Sequence, residues 1–278
     1  MKTTILTLLS IAILCLTSCE DVIEIKPSDI KSQYAVEGFV LDQLNESYIR
    51  LSQTTPYFSQ PFSLPVSAAR VLVFDDQNTS YEFIEGEKGI YKCPEGFKGI
   101  QGVTYSLNIE IGDHFISASS TMPKIIMIDS IRYEFIASGD PNFEEGYYLY
   151  GMLSDDPEVT NYFFSEVKVN GKKQIARAED IIVFDDRFFD KSQNVEGQFW
   201  YWGNKDDDYH KINIGDEVSL QLYSIDYDSY NFLKALSETS QHGGLFGKNP
   251  ANVPSNIDGA LGLFQASAVS LSKTIKIQ

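Results

Sequence analysis

The stretch GVTYSLNIEI (residues 102–111) decides the fold class. Val103, Tyr105, Leu107, Ile109 and Ile111 fall on one side of an extended chain, and Thr104, Ser106, Asn108 and Glu110 fall on the other. Side chains of a strand alternate between two faces, so this pattern predicts a half-buried antiparallel strand. Gly112-Asp113 follows, and glycine reaches the positive φ of a tight hairpin turn without a Cβ penalty. HFISASSTM (114–122) then returns as the partner strand.

Towards the N-terminus the same signals recur in YAVEGFV (34–40), SYIRLSQ (47–53) and ARVLVFDD (69–76), and SYEFIEGEKGIYKC (80–93) reads as a hairpin around Gly86-Glu87-Lys88-Gly89. About seven short strands over residues 33–123 predict an immunoglobulin-like or transthyretin-like sandwich, closed by Pro123. Beyond it, KIIMIDSIRYEF (124–135), GYYLYGMLSD (146–155), NYFFSEVKVN (161–170), DIIVFDD (180–186), EVSLQLYSID (217–226) and SAVSLSKTIKI (267–277) have strand composition. One helix is expected near 227–240, where Tyr230, Leu233, Ala235 and Leu236 lie near one face. Asp226 or Asp228 would cap its start and Gly243-Gly244 its end. The expected class is all-β, mainly β with one helix: the sandwich at 33–123, then a larger antiparallel β domain at 124–278.

The first residues address location. Lys2 precedes an apolar run from Ile5 to Leu16, and these 12 residues are too few to span roughly 30 Å of hydrocarbon as a helix. A signal peptide over 1–18 fits that length and its basic start. Leu16-Thr17-Ser18-Cys19 resembles a bacterial lipobox, which implies cleavage before Cys19 and lipid on its thiol and on the new amine. One acyl chain holds a protein only marginally, whereas two or three anchor it firmly. Glu20 and Asp21 resemble the acidic signal for export to the cell surface in Bacteroidota lipoproteins. Residues 19–32 read as a tether, and its thirteen residues after Cys19 reach at most roughly 43–47 Å.

Removal of residues 1–18 leaves 260 of the 278 residues and changes the formal charge from −17 to −18 through loss of Lys2. Phosphate binding needs basic patches, and the longest basic cluster is Lys172-Lys173 with Arg177, so nucleic acid is excluded as a partner. Cys15 leaves with the signal and Cys19 carries lipid. Cys93 is then alone, with no disulfide available, and stability rests on a hydrophobic core.

Chemistry-bearing motifs are sparse. His114, His210 and His242 show no HExxH or CxxC pattern, and neither GxSxG nor a P-loop occurs. No metal or cofactor is expected. The acidic loops at 155–156, 185–186 and 206–208 read as solvated loop acids rather than calcium ligands, and 206–208 lacks the alternation that spaces side chains round one ion. QFWYWGNKDDDYH (198–210) is the most ligand-like segment and contains both tryptophans. Trp200 and Trp202 share one face of a strand. With Tyr201 they form either a ligand- or partner-contacting edge or core filling for the second domain. NPANVPSNIDGALGLF (249–264) reads as an extended loop that braces the final strand, or faces a partner.

Together with the lipobox, YAVEGFV, IRLSQTTPYFS, PVSAARVLVFDD, SASSTMPKIIMIDSIRYEF and NPANVPSNIDGALGLF resemble, in this order, the domain-of-unknown-function family 4249 of Bacteroidota outer-membrane lipoproteins. The resemblance covers nearly the whole mature chain. It implies a surface lipoprotein in the company of a TonB-dependent outer-membrane transporter, and it supplies no catalytic residues. The functional expectation is a non-enzymatic accessory or ligand-capture subunit, membrane-bound through Cys19. The alternatives are a standalone glycan- or cation-binding module and, behind it, a hydrolase.

Overall fold

The structure, a computed structural model, describes residues 32–55, 61, 63–154, 160–187, 194–203, 211–239 and 253–278. The first strands are β1 (Tyr34–Leu41), β2 (Tyr48–Thr54), β3 (Ser63–Pro65), β4 (Arg70–Phe74), β5 (Ser80–Glu87), β6 (Ile90–Lys92), β7 (Thr104–Ile111) and β8 (His114–Thr121). There follow β9 (Met127–Ile136), β10 (Gly146–Ser154), β11 (Tyr162–Val169), β12 (Lys172–Lys173), β13 (Ile182–Asp185), β14 (Asn194–Gly203) and β15 (Glu217–Ile225). The chain ends with α1 (Tyr227–Thr239), β16 (Ile257–Asp258), β17 (Leu261–Val269) and β18 (Lys273–Lys276). The fold is mostly β, with large antiparallel sheets and a single α-helix among the described residues.

The alternation in β7 holds: Tyr105, Leu107 and Ile109 are buried and Glu110 is exposed. Gly112 takes φ +57° at the β7–β8 turn, where Ile111 pairs with His114. Asp226 starts α1 by accepting the Ser229 backbone N–H at 2.8 Å, which satisfies one of the donors a helix start leaves free.

Fifteen of the described strands form one hydrogen-bonded sheet, in which β12-β11-β15-β17-β1-β2-β6-β5-β4-β7-β8-β16 run side by side and β13, β18 and β3 pair off this path with β11, β15 and β2. β14, β10 and β9 form a separate three-stranded sheet. Two cores result. The first gathers Val36, Ile49, Val71, Phe83, Leu107 and Ile116 with residues of β16 and β17. The second packs Leu149, Phe163, Phe199, Trp202, Val218 and Leu220 between the three-stranded sheet and β11 and β15.

The sequence-based boundary at residue 123 therefore cuts through the first core. Ile257, Phe264, Ala266 and Ala268 belong to it, and β17 runs parallel to β1, with Ala35 opposite Leu261 and Leu41 opposite Ser267. A parallel partner arrives through a long crossover, and periodicity carries no mark of such a partner. Strand β17 is also longer than SAVSLSKTIKI suggested: that segment splits into the end of β17 and a separate β18. The parallel pair depends on Gly262, which has φ +115° and lies so close to Val36 that a Cβ would collide with its carbonyl oxygen.

Beyond β17 the two units meet through Ser120, whose Oγ accepts the Ala266 N–H at 2.8 Å and donates to Asp226 at 2.5 Å. Strand β17 itself continues onto β15 through Tyr223 opposite Val269.

Candidate ligand-binding groove

Strand β14 resolves the two readings of the tryptophan pair. Trp202 is 2 % exposed and Trp200 is buried beside it, their ring centroids 6.3 Å apart, both within the second core. The Trp202 Nε1–H donates to the buried Gln174 Oε1 at 3.2 Å. A ligand therefore meets neither indole, and the expectation of a contact edge at Trp200 and Trp202 is corrected to core packing. Tyr201 lies on the opposite face, where it stacks on Tyr148 at 4.6 Å and donates to the Glu145 carbonyl at 2.9 Å. Its hydroxyl is engaged within the protein. Cys19, Glu20 and Asp21 lie outside the described residues, as do His210, His242 and the acids at 155–156 and 206–208.

The other candidates have structural partners. His114 meets Tyr34 edge-on at 5.3 Å. Asp185 is paired with Arg187 at 2.8 Å and accepts the Tyr230 hydroxyl at 2.9 Å, and the guanidinium first of all holds its carboxyl down to about 2. Burial pushes the Cys93 thiol up, away from the reactive thiolate form. Among the described residues, no group of three or more His, Cys, Asp and Glu side chains is placed to hold a metal ion.

A groove of about 500 Å³ opens instead on the face of the shared sheet opposite the two cores, along β1, β2, β11, β12, β15 and β17. Alternation builds it: Phe163 and Val167 enter the core, so Phe164, Glu166 and Lys168 face the groove. Phe264 and Ala266 enter the first core, so Gln265 faces the other way and forms part of the lining. Two aromatic pairs stand along it, Phe39 with Tyr48 at 5.3 Å and Phe164 with Tyr223 at 5.5 Å. All four rings are half-buried.

Two polar side chains sit deep in this lining. Gln265 is 1 % exposed, and its Nε2 donates to Ser267 Oγ at 2.6 Å while its Oε1 has no partner. A buried carbonyl left without a donor is destabilising by about 1–3 kcal/mol. Glu166 is 3 % exposed, with the Lys168 ammonium 2.8 Å from Oε1 in an ionic contact and the Lys173 ammonium against Oε2. Burial alone would raise this carboxyl, but the two ammonium groups outweigh it and hold it below the ordinary glutamate range. Burial first, then Glu37, pushes the Tyr48 phenol up to about 12. Burial and then Glu166 push the Tyr223 phenol up as well, so both rings keep their protons at neutral pH.

A second cavity of about 450 Å³ lies where the units join, against Ile125, Ile126, Tyr162 and Asp226. Its carboxylate is already engaged by Ser229 and Ser120. The groove, by contrast, offers polar groups with unmet capacity.

Sequence reading did not find the groove, because its residues come from six strands spread along the chain. One signal was present. Gln265 interrupts the apolar and small-residue run LGLFQASAV, a long polar side chain in a strand buried almost throughout. Of the loop before it, residues 249–252 lie outside the described residues, and in the described part Asn256 braces the strand. Asn256 accepts the Phe264 N–H at 3.0 Å and donates to the Phe264 carbonyl at 2.6 Å and the Ser119 carbonyl at 3.3 Å, standing in for a neighbouring strand.

A search of curated proteins returns no match to the chain. The model of one family, described as a domain of unknown function (DUF4249), matches residues 20–273, a span that includes both units and every strand of the groove. The chain belongs to the DUF4249 family.

Proposed function

We propose that this protein is a lipid-anchored outer-membrane surface lipoprotein that captures a small polar ligand in the groove, without catalysis, as the accessory subunit of a TonB-dependent transporter. The groove carries the reading: about 500 Å³ flanked by two aromatic pairs, with an unpartnered buried carboxamide in its lining. That volume falls within the roughly 300–1,000 Å³ of small-ligand sites, which are mostly apolar with a few placed polar groups. The deeply buried carboxylate in it is clasped by two ammonium groups, an arrangement that holds shape rather than one that moves a proton. The lipobox at Leu16–Cys19 and the acids Glu20 and Asp21 support a lipid foot and surface display.

Purification of the full lipidated chain from native outer membranes in mild detergent tests the partnership. The expected result is recovery with a large β-barrel transporter in near-equal amounts. Recovery alone, by a chain that still binds ligand, would refute the accessory role and leave a standalone binding module.

A further inference from the structure

We propose that the groove binds a neutral carbohydrate, with one or more pyranose rings held between the Phe39–Tyr48 and Phe164–Tyr223 pairs and hydrogen-bonded at the groove's base by Gln265. The inference rests on the capture reading and names its ligand class.

Charge narrows the choice first. Lys168 and Lys173 are already engaged by Glu166, and Glu37 lies 3.6 Å from the Arg50 guanidinium. An anion would have to displace a buried carboxylate from its two lysines, beside Glu37 and Glu46 and in a chain of formal charge −17. A cation would meet the same two ammonium groups at the groove wall. A neutral guest pays neither penalty. A purely apolar guest fails for the opposite reason, because it would leave the buried Gln265 carbonyl without a donor.

A sugar ring satisfies both demands. Its axial C–H bonds make an apolar face that meets the negative face of an aromatic ring, and its edge is a row of hydroxyls. Four half-buried rings in two pairs supply such faces on both sides of β17. Hydroxyls both donate and accept, and so does the group in the lining. The Gln265 amide bonds to Ser267 Oγ, and a hydroxyl can either accept from a carboxamide NH₂ or donate to its carbonyl. Turning the amide over therefore keeps the Ser267 bond and exchanges a free carbonyl for a free NH₂. The Tyr48 and Tyr223 phenols, held in their protonated form, add two more groups that donate and accept.

The test uses the full chain in detergent against a printed array of neutral glycans, free oligosaccharides alongside bacterial surface polysaccharides, with putrescine and inorganic phosphate titrated calorimetrically. Expected is binding to a subset of the neutral glycans, and which half of the array responds identifies the source. Gln265→Leu removes the unmet carbonyl together with the single bond to Ser267, with little change of shape, so its melting temperature should stay within about 3 °C of wild type while affinity falls at least about tenfold. Phe164→Ala should weaken the same glycans at least about tenfold. A Gln265→Leu protein that binds glycans as wild type does would overturn the assignment. So would silence across every glycan. Binding of putrescine or phosphate in its place, lost in Gln265→Leu, would overturn the sugar class while leaving capture in this groove standing.

Discussion

Trp202→Ala should lower the melting temperature by roughly 10–20 °C. The indole is 2 % exposed, packs with Trp200 at 6.3 Å and donates to Gln174 Oε1 at 3.2 Å. Truncating a buried tryptophan removes transfer free energy and leaves a cavity, together about 3–5 kcal/mol. Gln174 is itself buried, and its Oε1 would lose this donor, which adds about 1–3 kcal/mol. A total near 5 kcal/mol, at roughly 2–4 °C per kcal/mol for a protein of this size, gives the stated shift. Trp202→Phe keeps an aromatic ring and loses the donor, so its shift should be about half as large. Scanning calorimetry is the suitable assay, because the substitution removes one of only two tryptophans and weakens the fluorescence signal. A Trp202→Ala protein melting within about 3 °C of wild type would refute the core placement and return the indole to the surface.

Asn256→Ala strips three hydrogen bonds that stand in for a strand beside β17, and should cost about 2–3 kcal/mol, read from denaturant midpoints at unchanged slope. Gly262→Ala should cost at least about 3 kcal/mol, because an added Cβ collides with the Val36 carbonyl at a φ that side chains rarely adopt; amide exchange should rise along β1. Glu166→Gln should cost about 1–2 kcal/mol at pH 7, since both lysines stay in contact with water. The Glu166 carboxyl is held below its ordinary 4.5, so its contribution is complete above that value and fades as the pH falls through the lower folded value. The melting temperatures of wild type and Glu166→Gln should therefore converge as the pH falls from 4.5 through that lower folded value, and a gap that stays constant would show that the carboxylate is not the source.

The pattern of strands was legible because it is local. TYSLNIEI alternates down to its turn glycine, and helix α1 is described over Tyr227–Thr239 against an expected 227–240. Trp200 and Trp202 were read as sharing a face, which they do, but which side of a sheet is covered depends on the layer packed against it. Their immediate neighbours cannot announce that layer. The groove was hidden for the same reason. Phe39, Glu166, Tyr223 and Gln265 are each the outward residue of an alternating strand, and only the pairings of β1 with β17 and β15 with β11 bring them together. A solvated outward face and a binding wall look alike in sequence. Gln265 stood out, as a long polar side chain within an apolar and small-residue run.

The parallel seam between β1 and β17 also sets the order of events when the chain is made. The Val269 N–H bonds to Asp42 Oδ1 across 227 sequence positions, so the first-made strand waits for almost the last. Contacts so distant form slowly, because a long loop must close before any pairing rewards it. The amino-terminal half therefore stays incomplete while the ribosome is still working. A chain that stops before Leu261 would leave β1 with a bare edge, a ready template for aggregation. The seam thus acts as a closing latch on the first core.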